Sequence, residues 1–119
     1  MSDESRRALA RRLAWPAGAL AECERLDAAH PGWAFCWLGE NRYPGWERPA
    51  GFAAHRPGWG MIGEDQLRRE PEDGFAREPW CFGPDVAELE QRIAEVEERY
   101  AAREAAQERL WESMRNGLR

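Results

Sequence analysis

The residues with the most chemistry to offer are three cysteines, Cys23, Cys36 and Cys81, two histidines, His30 and His55, and a surplus of carboxylates. A metal site would draw on that set. Structural zinc usually takes its ligands in close pairs, and the chain contains no C-x-x-C or H-x-x-x-H unit. Small buried hydrophobes are the competing reading of the thiols. Cys36 and His55 fall on two consecutive apolar runs, so a thiol and imidazole dyad can be drawn. Nucleophilic catalysis also needs a group to orient the imidazole and a site for the oxyanion, and neither has a candidate. Glu97-Glu98 and Glu64-Asp65 pair carboxylates within charged runs, where nothing raises a pKa. A chain without lysine cannot carry G-x-x-x-x-G-K-[ST]. The expectation is therefore no catalytic residue, no metal ligand and no cofactor.

Aromatic residues are the second resource. Trp33, Trp37, Tyr43, Trp46, Phe52 and Trp59 crowd one stretch, with Arg42, Arg48 and Arg56 between them. As a site they form a stacking face, with Trp33, Trp37, Trp46 and Trp59 lining a cleft for a planar or sugar-like ligand. As structure they are the core of a domain that is short of aliphatic residues. Stacking on nucleic acid usually comes with positive charge, and this stretch is nearly neutral.

The bulk properties bound the rest. A chain of 119 residues holds one core. With 43% hydrophobic and 33% charged residues and a mean hydropathy of -0.80, that core must be small under a charged surface. A formal charge of -5 repels phosphates at long range, so nucleic acid and anionic membrane are not expected partners. An odd number of cysteines without a close pair fits a reducing compartment. No apolar run approaches a membrane span and the start has no secretory pattern, so the expected location is the cytoplasm.

The elements that must position these residues follow from periodicity and punctuation. Residues 1–30 read as two helices. The first is capped near Ser2 and runs to Ala14 with Leu9 and Leu13 on one stripe. The second covers Ala17 to Ala29, with Leu20, Cys23 and Leu26 inward and His30-Pro31-Gly32 as its stop. Arg6, Arg7, Arg11 and Arg12 flank the first stripe, either as a phosphate-binding face or as the solvated edge of an amphipathic helix.

Residues 31–83 read as a Trp-rich hairpin with loops. Trp33, Phe35 and Trp37 alternate with Ala34, Cys36 and Leu38, a strand apolar on both faces. Glu40 to Gly45 supply a turn, and the stretch from Trp46 to Arg56 returns. Trp59 to Gly63 is a candidate third strand, Glu64 to Asp73 a loop or single helical turn, and Phe75 to Phe82 an extended piece. Pro79 and Pro84 confine that piece to an edge or a loop.

Residues 84–116 read as one long helix, from Asp85 to Met114 or Arg115, free of internal Pro and Gly. Val86, Leu89, Ile93, Val96 and Tyr100 keep a three-four spacing that continues through Arg103 and Gln107 to Leu110 and Met114. At about 1.5 Å per residue the helix is roughly 45 Å long, against about 30 Å for a compact body of the remaining chain. About ten residues should overhang, carrying Leu110, Trp111 and Met114. That cluster wants cover, from the first helix through Leu9 and Leu13 or from a second chain. In a parallel pair Arg92 and Arg99 would face Glu97 and Glu104. The alternative use of those charges is support within the helix, Glu88 to Arg92 and Glu95 to Arg99.

The run His30-Pro31-Gly32-Trp33-Ala34-Phe35-Cys36-Trp37, followed by Trp46 and Ala50-Gly51-Phe52, resembles short uncharacterised proteins of high-GC bacteria built as helix, Trp-rich hairpin and closing helix. The resemblance spans residues 17–100 and implies no catalytic residues; the stretch 57–83 and the last helix are longer here. The expected fold is α+β, a single domain over 1–119 with two to four short antiparallel strands packed by N-terminal helices and one long C-terminal helix. The expected function is non-enzymatic protein interaction, with a protein partner or a second copy of the chain, through Leu110, Trp111, Met114, Tyr100 and Arg103. The aromatic cleft is the alternative.

Overall fold

The structure, a computed structural model, describes residues 3–58 and 79–117. Its described elements are helix α1 (Asp3–Arg12), helix α2 (Ala19–Ala29), strands β1 (Ala34–Leu38), β2 (Gly51–His55) and β3 (Trp80–Gly83), and helix α3 (Val86–Gly117). The three strands form one antiparallel sheet in the order β1-β2-β3. The α+β architecture is as the sequence predicts, and of the two places left open for the piece ending at Phe82, an edge or a loop, it takes the edge among the described strands. The expected third strand at Trp59 to Gly63 and the loop at Glu64 to Asp73 lie outside the described residues, as does Phe75 to Glu78.

Local chemistry explains each boundary. Helix α1 stops two residues before the predicted Ala14, because Ala14 adopts the left-handed conformation with φ 51°. Trp15 N donates to Ala10 O at 3.0 Å and Ala14 N to Arg11 O at 3.3 Å, which closes the helix in the manner usually given to glycine. Helix α2 starts at Ala19 rather than Ala17, with the Pro16 carbonyl accepting from Ala19 N. The hairpin turns at Tyr43-Pro44-Gly45-Trp46. Pro44 fixes one φ, Gly45 supplies φ 85°, and Trp46 N donates to Tyr43 O at 2.9 Å. Asp85 caps α3 with its Oδ1 accepting from Glu88 N at 2.8 Å.

The sheet register sorts the side chains. Phe35, Ala54 and Cys81 stand in one row, and Trp37, Phe52 and Gly83 in the next, on the same face. That face meets Leu89, Ile93, Val96 and Tyr100 of α3, and Cys23 and Leu26 of α2 complete the core. Close approach is possible because of Gly83: a Cβ there would lie 2.5 Å from Leu89 N and 2.9 Å from Asp85 O. On the opposite face Ala53 is buried, while Ala34, Cys36, Leu38 and Phe82 are half buried.

Candidate functional site

The candidate site is built by the length of α3 against the width of the sheet. Strands of four or five residues are crossed by the helix between Val86 and Tyr100, and Tyr100 is the last buried position. All seventeen residues from Ala101 to Gly117 are exposed, a helical arm about 25 Å long. The overhang is thus longer than the expected ten residues, because a three-stranded sheet covers only four turns of helix.

On that arm Leu110, Trp111 and Met114 are 60%, 59% and 50% exposed. Arg103 is exposed on the same stretch. Tyr100 is not part of this surface: at 8% exposure it closes the core, a correction to its expected place among the partner-binding residues. Helix α1 does not supply the cover. It packs on α2, and Leu13, the residue after it, is itself exposed. Of the two uses weighed for the helix charges, Arg92 donates to Glu88 at 3.0 Å within the helix. Arg103, Arg109 and Arg115 balance Glu104, Glu108 and Glu112, so the arm is neutral while the chain carries -5.

The four tryptophans expected to line a cleft are not brought together. Trp33 is buried in the core, and Trp37 packs edge-on against Phe52 at 5.2 Å between ring centroids. Trp46 stands exposed on the hairpin turn beside an equally exposed Tyr43. Trp59 lies outside the described residues. Near that turn, Glu40, Asn41, Arg42, Glu47, Arg48 and Pro49 line a shallow depression of about 310 Å³, more charged than an aromatic cleft. A further aromatic contact escapes the sequence: His55 stacks on Trp80 across β2 and β3, at 4.4 Å and 12°.

All three thiols are raised above their ordinary value. Burial pushes Cys23 up to about 12 and Cys81 up to about 11. Cys36 is also raised, again by burial, with Arg48 and Arg6 as the charges that oppose the shift. A nucleophilic cysteine needs the reverse. His55 sits opposite Ala34 and Trp80 in the register while Cys36 sits opposite Ala53, so the two are diagonal neighbours and the ring turns to Trp80. Among the described residues no three of His, Cys, Asp and Glu gather as a metal site. Gly58, Gly60 and Gly63 have G-x-G-x-x-G spacing, of which only Gly58 is described. The dinucleotide fingerprint needs a parallel βαβ setting, and the strand before it, β2, is antiparallel to both neighbours.

The arginines expected to act as a phosphate face or a solvated edge are divided. Arg6 is buried and paired with Asp27, and Arg7 pairs with Glu24 at 3.4 Å, so both fasten α1 to α2. Arg11 and Arg12 remain exposed. No helix among the described residues is long and apolar enough to cross a membrane. No protein-family model, no curated protein and no solved structure matches the chain.

Proposed function

We propose that the chain is a non-enzymatic, cytoplasmic interaction protein that engages a protein surface through residues 101–117 of α3. The observation that carries it is the arm itself: seventeen consecutive helical residues outside the core, with Leu110, Trp111 and Met114 exposed together. A helix of this length is marginal in water without tertiary cover. Tryptophan is also the residue type most enriched where binding energy concentrates. The aromatic-cleft alternative has less support, since Trp33 and Trp37 are committed to packing.

The test is a photoreactive p-benzoylphenylalanine at position 111 in the producing cell, with position 91, exposed on the body of α3, as control. Discrete protein adducts at 111 and none at 91 are expected. Equal labelling at both positions, with the arm's amides exchanging as freely as an unfolded peptide, removes the proposal.

A further inference from the structure

We infer that Asn116-Gly117, in the last turn of α3, is a modification site at which the chain converts its own asparagine into isoaspartate and aspartate. The reaction belongs to the Asn-Gly pair itself. The main-chain nitrogen of Gly117 attacks the side-chain amide carbon of Asn116, its proton leaves with the amide nitrogen as ammonia, and a cyclic imide closes. Water then opens the ring at either carbonyl. Opening at the main-chain carbonyl leaves isoaspartate, whose backbone runs through the former side chain and is longer by a methylene. Opening at the side-chain carbonyl leaves aspartate.

The chain has two asparagines, and the structure separates them. Asn41 is followed by the bulky Arg42, and its main chain is bonded in both directions to Arg48, at 2.9 and 2.8 Å. Its side-chain oxygen accepts from Tyr43 N at 3.0 Å, so attack by Arg42 N would have to break that bond against a fixed main chain. Asn116 is exposed, the residue after it has no side chain, and the space around Gly117 is open. Within a helix the nitrogen of residue 117 is bonded to the carbonyl four residues back and does not reach the side chain. Releasing it costs one main-chain hydrogen bond at a helix end, the part of a helix that frays. Asn and Gly are both poor helix formers, and no core residue lies beyond Tyr100 to hold that turn in place.

The product differs from the original arm in charge and in shape. Either product adds a negative charge to a neutral arm, at the end where the helix dipole is already negative. Isoaspartate also lengthens the main chain, so the regular hydrogen-bond ladder cannot pass residue 116.

Peptide mapping by mass spectrometry tests this on the purified full chain, held at neutral pH and sampled over weeks. The peptide containing Asn116 should gain one mass unit and split into two products, while the peptide containing Asn41 keeps its mass. Asn116 should convert in the folded chain no more than tenfold slower than in concentrated guanidinium chloride at the same pH. Gly117→Val, which crowds the attacking nitrogen, should slow the conversion at least tenfold, with far-ultraviolet circular dichroism checking that the variant keeps its helix. A folded chain that converts Asn116 more than tenfold slower than the unfolded one overturns the inference, because the helix then protects the site. A Gly117→Val chain that converts at the native rate also overturns it, since the amide is then hydrolysed without ring closure. Conversion of Asn41 as fast as Asn116 does the same, since the selection then does not lie in the structure.

Discussion

Arg6 on α1 is buried at 3% exposure and forms an ion pair with Asp27 on α2, so the first helix is held by a charge taken largely out of water. Removing the carboxylate takes a counter-charge from a buried guanidinium, which is more costly than replacing the cation by an apolar side chain of similar length. Asp27→Ala should destabilise by about 2 kcal/mol, reduced from the fully buried case because Asp27 is partly solvated. Arg6→Met should cost less. Chemical denaturation of both variants measures the order, and the reverse order contradicts a buried charge in need of compensation.

Ala14 occupies a left-handed position that L-residues other than Gly and Asn rarely adopt. Its side chain is exposed, so no packing is lost by removing it. Ala14→Gly should stabilise the chain by about 1 kcal/mol, with relief of the left-handed strain exceeding the added flexibility of the unfolded state. A fall in thermal midpoint would mean that residue 14 does not hold this conformation in solution.

Gly83 is a different case, because its neighbours are backbone atoms that cannot rotate away. A Cβ would meet Leu89 N at 2.5 Å and Leu89 Cα at 2.8 Å, where α3 first touches the sheet. Gly83→Ala should therefore cost about 3 kcal/mol or more, in the range reserved for overpacking with backbone displacement. Gly45→Ala, with open space around its Cβ, tests the other term: left-handed strain alone, about 1 kcal/mol. Equal losses for the two would show that contact with Leu89 is not what limits position 83.

Much of this was legible in the sequence. The three-four spacing of Leu89, Ile93, Val96 and Tyr100 fixes which side of α3 is buried, and Pro44-Gly45 fixes the turn. What periodicity does not carry is distance between elements. Nothing local distinguishes Arg6 from Arg11, because the difference is that Asp27 on another helix stands opposite one of them. Tyr100 belongs to the same stripe as Leu110, and only the width of a three-stranded sheet decides that the first is core and the second is not. Trp33 and Trp46 are likewise one residue type with two fates, set by a strand facing α3 and a turn facing water.

His30 Nε2 lies 2.9 Å from Glu90 Oε2, joining the end of α2 to α3, with Arg25 3.6 Å from the other carboxylate oxygen. The hydrogen bond from His30 is the main cause that holds the Glu90 carboxyl below its ordinary value of 4.5; the His30 and Arg25 charges add to it and burial works against it. A carboxyl depressed in the folded state stabilises above its unfolded value, and that contribution is lost as pH falls through the folded value. The stability gap between the native chain and Glu90→Gln should close as pH drops below about 4. Because the carboxylate is more than a third exposed, added salt should narrow the gap too. Melting curves across that range, with and without salt, measure it; a gap independent of pH assigns the effect to packing.

The boundary between body and arm falls at Tyr100, which makes stability and association separable. Tyr100→Ala opens the core beside Val96 and should cost about 3 kcal/mol, as aromatic truncations in packed interiors do. Ending the chain after Ala102 removes more than a dozen residues, including Leu110, Trp111 and Met114, and none of the described ones, 103–117, belongs to the core. At low micromolar concentration the truncation should therefore change unfolding free energy by no more than about 0.5 kcal/mol, the scale of surface changes, while reducing the helical signal. If the arm were instead folded onto the body, its loss would expose apolar surface and the two variants would destabilise alike. Denaturant titrations decide between these outcomes, since the slope reports surface uncovered on unfolding. An arm outside the cooperative unit contributes little to that slope, so the truncated and full chains should share it.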